Sequence, residues 1–421
     1  MRTIRLQLLA AILPVVRVWA QPHGQAGHSA SAPRDSVSAM ATGLLTHVAP
    51  ALSGVSRSEA LVTQPMLMIR GVRFGSALHY AAMLNAERWT MPNGEPVAGI
   101  WGEGFIDRRH PHSVVHEVML SATRRVRDGA VSLSAGRGTV PFGTDDPMVR
   151  PFTKYPANHH FAQVLERVQL VGSVRITPRV AVEVSTFNGD EPAGPTAAPR
   201  WSRFGDSHAA RLTVWPNTQV EVQGSAASLR SPEFASGEGL DQRKLSASAR
   251  WTPSSLPLGY LLVEWARTEE RYRSRSIIAY GTGLVEALAA HGRWSMSVRA
   301  EQTSRPEEER LLDQFRTARP PTDLTILGIT RWQLLTGQLA AALGSGSRWH
   351  STLFAEATRA RSTPLLRPVL LDPADVIGGR TAWHLTAGCR LGLGAMPHRV
   401  GRYGAAVGGV GTAPHLTMNH P

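Results

Sequence analysis

The sequence predicts an all-β protein: a transmembrane antiparallel up-and-down β-barrel of about sixteen strands, with short periplasmic turns and long extracellular loops. Three observations carry this. Apolar and polar residues alternate along segment after segment, short and long connections take turns, and tryptophans gather at strand ends. In 243–252, Leu245, Ala247, Ala249 and Trp251 fall on one face of a strand, and Lys244, Ser246, Ser248 and Arg250 on the other. Repeated around a closed wall, that pattern sets lipid on one side and water on the other.

In chain order, the first element is a leader. Met-Arg-Thr-Ile-Arg is followed by an apolar run from Leu6 to Val16 and by Ala20 before Gln21, the pattern of an export signal cut after Ala20. The run is too short to cross a bilayer as a helix. Residues 1–20 are therefore assigned as signal peptide and 21–61, rich in Ala, Ser, Gly and His, as a loose N-terminal segment. The barrel is assigned to 62–394 and a C-terminal tail to 395–421.

Within the barrel the alternation is explicit. Val131, Leu133 and Ala135 alternate with serines and glycine, Val180, Val182 and Val184 with Ala181, Glu183 and Ser185, and Val220 and Val222 with Glu221 and Gln223. Trp294, Met296 and Val298 alternate with Ser295, Ser297 and Arg299; Trp383, Leu385, Ala387 and Leu391 with His384, Thr386, Gly388 and Arg390. Short turns are expected at 127–129, 177–179, 216–217, 253–256, 290–292 and 344–347, and long loops at 138–165, 188–206, 230–242, 268–275, 303–323 and 361–380. A soluble sandwich has no reason to segregate loop lengths in this way. Trp89, Trp215, Trp251, Trp294, Trp349 and Trp383 stand near strand ends, where indole favours the headgroup boundary. Thirteen strands fall in 113–394, with two more near 62–72 and 77–89. For both chain ends to lie in the periplasm the number must be even, which requires a further strand near 44–55 and gives sixteen; a miscount would give fourteen.

Composition excludes several classes. Cys389 is the only cysteine, so there is neither an internal disulfide nor a thiolate metal cluster. The formal charge of +13 falls to +10 once Arg2, Arg5 and Arg17 leave with the leader. Only Lys154 and Lys244 are lysines, and no basic block of five exists, so a nucleic-acid partner is not expected. No Gly-x-Ser-x-Gly elbow occurs, and His116-Glu117 lacks the second histidine of a zinc-protease helix, Leu120 standing in its place. Neither an enzymatic activity nor a cofactor is expected. The glycine-rich stretch 404–411 reads as flexible tail.

Three groups of residues could carry function. Arg175, Glu183, Glu221, Lys244, Arg250, Arg299 and Arg390 lie on the polar faces of their strands and are pore-lining candidates, on the condition that the register is right. Asp145, Asp146, Arg150 and Lys154 lie in the proline-bearing loop 138–165, which either caps the barrel or folds in to narrow it; opposed charges there would sort solutes by sign and dipole. His110 and His112 precede one strand, with His116 shortly inside it, and His159 and His160 end the 138–165 loop. On the same side of the barrel, His110, His112, His159 and His160 could bind a divalent metal through imidazole.

Gly136-Arg137-Gly138 followed by Pro141-Phe142-Gly143 resembles a segment of phosphate-selective-porin-like barrels. Asp107–His112, Lys154–His160 and Phe187–Pro192 resemble an uncharacterised bacterial group of porin-like outer-membrane proteins. The likeness runs over roughly 62–404. It implies a barrel in the outer membrane of a Gram-negative bacterium, in contact with outer-membrane lipid and small hydrophilic solutes, with homo-oligomers as an option. It carries over no site residue. The tail after Gly394 departs from porin-like barrels, which end on a strand with a terminal aromatic residue; a periplasmic extension is one reading of it. The function expected is passive diffusion of small hydrophilic solutes with a mild preference for anions. The alternative is a non-conducting barrel that binds a metal or small ligand through its histidine-bearing loops.

Overall fold

The computed structural model describes residues 35–51, 54–92, 112–145, 147–153, 164–234, 236–253, 258–308, 326–345, 349–365, 372–394 and 400–407. The strands are β1 (Asp35–Ala49), β2 (Arg57–Arg73), β3 (Leu78–Asn85), β4 (Val115–Val126), β5 (Gly129–Gly138), β6 (Arg167–Thr177), β7 (Val180–Phe187) and β8 (Ser207–Val214). They continue with β9 (Val220–Leu229), β10 (Asp241–Trp251), β11 (Leu258–Tyr272), β12 (Arg275–His291), β13 (Trp294–Glu308), β14 (Ile326–Ser345), β15 (Trp349–Pro364) and β16 (Thr381–Leu393). Each pairs antiparallel with the next in sequence, and β1 pairs with β16 to close the barrel, Gly43 standing opposite Cys389. Closure leaves no strand edge exposed, the condition for crossing a bilayer with strands.

The sixteen strands match the even count, but the barrel begins at Asp35 rather than at residue 62. The part of 21–61 assigned as loose therefore contains all of β1 and the start of β2. The alternation is weak in β1 (DSVSAMATGLLTHVA) because its outward face carries the small residues Ala39, Ala41 and Gly43 before Leu45, and Met40 interrupts the polar inward face. The connection 268–275 is also not a long loop. β11 and β12 run on to a tight turn at Arg273–Ser274, with Arg273 in the left-handed region. Pro65 sits inside β2 without breaking the sheet because the register shifts there, between Met40 and Thr42 of β1. Gln64, at φ 52, turns its backbone N–H onto Glu87 Oε1 at 3.0 Å instead of onto the ladder.

The two faces of the wall separate cleanly along β10. Gln242, Lys244, Ser246 and Ser248 are at most 8% exposed, whereas Leu245 is 50% exposed and Trp251 37%. The exposed apolar face looks outward to lipid and the covered polar face looks into the lumen. Trp251, Trp294 and Trp349 lie exposed at the short-turn end, and Trp89 and Trp383 at the other, as two girdles should. Trp215 departs from that set. It is buried, donating through Nε1 to Glu221 at 2.9 Å beneath the Arg175 guanidinium. Leu245→Arg should destabilise the barrel by about 2–4 kcal/mol, since it sets a charge near mid-strand on the lipid face. Urea unfolding in lipid vesicles reads this directly, with Leu245→Ala as the comparison and a much smaller loss expected.

The lumen is not lined by polar groups alone. Val140, Phe142, Val164, Phe187, Ala209, Ala227 and Leu229 form one apolar cluster, and Met66, Met68, Met83, Met148 and Val400 another. Both arise where non-strand segments enter the barrel and need an apolar surface to pack on.

Candidate functional site within the lumen

Two inserted segments meet the inward face of the wall. The first is a strap, residues 139–145 and 147–153, that leaves β5 and crosses the barrel. Gly143 N donates to Ser225 Oγ on β9 at 3.0 Å, and Arg211 on β8 donates to Gly143 O at 3.3 Å. Further along, Asp145 accepts from Arg250 on β10 at 2.8 Å. Arg150 donates to Glu264 on β11 at 2.6 Å and lies 3.3 Å from Asp145 and 3.9 Å from Glu286 on β12. Phe152 lies under the Arg299 guanidinium of β13. Thr153 donates to Glu356 on β15 through N (2.9 Å) and Oγ1 (3.0 Å), and Arg390 on β16 donates to Pro151 O at 3.0 Å. The strap thus reaches from one side of the barrel to the other.

The second segment is 400–407, which re-enters the lumen after β16. Tyr403 Oη donates to Glu117 at 2.8 Å and accepts from Thr139 N at 2.9 Å, linking tail, wall and strap. Arg402 donates to Glu221 (3.1 Å) and Thr213 (3.3 Å). Arg175 donates to the carbonyls of Ala405 and Val407, and Ser132 Oγ accepts from Ala405 N at 2.8 Å. Gly404, at φ 54, lies so close to Ser132 that a Cβ would collide with its hydroxyl, and a Cβ at Gly138 would collide with Tyr403 Oη. Gly404 to Ala406 are buried. This part of 404–411 is therefore packed, not flexible tail, and 400–407 is not a periplasmic extension.

Arg211 joins all three parts. It makes a bidentate bond to Glu183 (2.6 and 2.9 Å) and donates to Gly143 O in the strap and to Gly401 O in the tail at 2.8 Å. Both members of the ion pair are buried, so removing either would leave an uncompensated charge.

Electrostatics follow from this packing. Burial would lower the Arg150 guanidinium, but Glu264, Glu286 and Asp145 outweigh it and hold the group well above the ordinary arginine value. Burial, then the Glu117 charge and hydrogen bond, push the Tyr403 phenol well above the usual tyrosine range. It therefore stays a neutral donor throughout the physiological range.

All seven pore-lining candidates face inward. Glu183 is held by Arg211, Lys244 donates to Thr268 Oγ1 at 3.2 Å, and Arg299 lies 3.7 Å from Glu286 and 3.4 Å from Glu301. Arg250 and Arg390 hold the strap, while Arg175 and Glu221 hold the tail. Asp145 and Arg150 stand in the strap; Asp146 and Lys154 lie outside the described residues. Arg211, Glu264, Glu286 and Glu117 were not singled out from sequence, although each sits on the inward phase of its strand. For Glu264 the signal is the outward pair Val263 and Trp265 on either side.

Of the four histidines proposed as metal ligands, only His112 lies among the described residues. It stands with His116 and Glu166 at the long-loop end of β4 and β6. Burial alone would raise the Glu166 carboxyl, but the hydrogen bonds and charges of His112 and His116 hold it well below the usual carboxylate range.

A closed barrel of sixteen strands with an apolar outer belt, aromatic girdles and an inward polar face has the architecture of an outer-membrane β-barrel of the porin type. No family model matches the chain, and no curated protein matches it in sequence. Among solved structures it is similar to an anion-selective porin from Comamonas acidovorans, with a TM-score of 0.50 and 10% identity over 85% of this chain and 99% of that one. It is likewise similar to the outer membrane channel DcaP of Acinetobacter baumannii, with a TM-score of 0.50 and 8% identity over 86% of this chain and 97% of that one. At such identities the likeness lies in the fold.

Proposed function

We propose that the protein is a passive diffusion pore for small hydrophilic solutes, with no catalytic step, narrowed by the strap (139–145 and 147–153) and the re-entrant segment 400–407. The observation that carries this reading is the strap's crossing, which sets Arg150 among carboxylates of the opposite wall. Fixed charges of both signs across a narrow passage orient a polar solute by its dipole and exclude large ones. An anion preference rests on the chain's excess of arginine and not on this passage. There Arg150, Arg250 and Arg299 face Asp145, Glu264, Glu286 and Glu301, so the expected preference is weak.

The depth to which inward charges are covered favours one other reading, a non-conducting barrel that binds a ligand through its histidine-bearing loops. Liposome swelling separates the two. Proteoliposomes should admit the smallest sugars and amino acids and exclude larger ones. No swelling with any solute would sink the pore. Reversal potentials in a salt gradient give the sign, and clear cation selectivity would remove the anion preference. Homo-oligomers would show as current steps closing in equal fractions.

A further inference from the structure

We propose that His112, His116 and Glu166 form a binding site for a divalent transition-metal ion at the long-loop rim of the barrel. The inference rests on convergence. Both imidazoles turn Nδ1 onto the same carboxylate oxygen, Glu166 Oε1, His116 at 2.7 Å and His112 at 3.5 Å. Their ring planes stand at 90° with centroids 5.1 Å apart, and the three ligand atoms lie within 4.8 Å of one another. An ion bonded at about 2.0–2.2 Å to each would take the place of the proton shared by His116 and Glu166, with both imidazoles and the carboxylate shifting to stand around it.

The surroundings fix the ligands. Ser113, between the two histidines, donates its N–H to Glu166 Oε1 at 3.0 Å and its hydroxyl to Oε2. Arg137 donates to the same hydroxyl at 2.6 Å, and the backbone N–H of His112 donates to the buried Glu87 at 3.2 Å. Carboxylate and backbone contacts of this kind keep liganding side chains aimed before an ion arrives. Two imidazoles and one carboxylate suit zinc or copper and suit calcium or magnesium poorly, because the latter two take oxygen donors. Three protein donors leave a coordination position for water or for a solute group. Arg137, 3.6 Å from Glu166, weakens a dication's attraction to the carboxylate and points to an exchangeable ion. This set overlaps the four-histidine reading only at His112; the added donors, His116 and Glu166, come from strand β4 and the foot of β6.

Isothermal titration of the detergent-solubilised barrel with zinc chloride tests the site. One ion per chain is expected, and His112→Ala, His116→Ala and Glu166→Gln should each weaken it by about tenfold or more. His47→Ala, at a half-exposed position on β1, should leave it unchanged. Absence of binding to the wild type, or undiminished binding by His112→Ala and His116→Ala, overturns the proposal. Should the variants fail to fold, copper electron paramagnetic resonance on the wild-type barrel decides: coupling to two imidazole nitrogens is expected, and an oxygen-only signal contradicts it.

Discussion

Barrels carrying Arg402→Ala together with Tyr403→Ala should conduct at least about twofold more current per channel than the wild type, because pore area sets conductance once the plugging segment is free. These two side chains tie 400–407 to Glu221, Thr213, Glu117 and Thr139. Without them, among the described residues, Val400 still packs on the methionine cluster and the polar anchors that remain are contacts to Arg175, Arg211 and Ser132, mostly through backbone atoms of the tail. Gly404→Val should act in the same direction by a different route, since a side chain there meets Ser132 at a backbone angle that disfavours any Cβ. Single-channel recording on both variants checks this. An unchanged conductance would mean that solutes pass along a path the tail does not touch.

The second large effect concerns Arg150. Arg150→Ala leaves Asp145, Glu264 and Glu286 facing one another, and breaking a buried pair of this kind costs about 3–5 kcal/mol where water cannot enter. A loss of that size should show as a lower denaturant midpoint. In channels that do form, the passage gains net negative charge, and selectivity should move towards cations. Arg150→Ala/Glu264→Gln should recover part of the stability, because it removes one of the stranded charges. If the double variant is no better than the single, the ion pair is not what holds the strap across the lumen.

The wall of the barrel was legible from sequence because its physics is periodic. A strand between lipid and a polar lumen must alternate, so Leu245 and Lys244 declare their faces without reference to any distant residue. Two chain ends on the periplasmic side then required an even number, and β1 supplied the missing strand, although at 35–49 instead of 44–55. The inserted segments follow no such period. Nothing local in Pro141–Asp145 says that it will meet Ser225 and Arg250, and nothing in Gly404-Ala405-Ala406 says that small residues there serve close packing rather than flexibility. Those contacts depend on which strands lie opposite, information that exists only once the barrel is closed. The same holds for the histidines. His112 could be picked out by residue type, but Glu166 joins it only because β4 and β6 end on the same rim with β5 between them. Trp215 shows the limit of composition from the other side: a tryptophan at a strand end can turn inward when a carboxylate such as Glu221 is there to accept its N–H.

Planar-bilayer recording of the purified wild-type barrel tests the central claim most directly. Discrete, ohmic current steps without any added ligand are expected, small for a sixteen-strand barrel because strap and tail share the lumen with the passing ions. Silent membranes containing demonstrably folded barrel would contradict a passive pore and leave the binding barrel in its place.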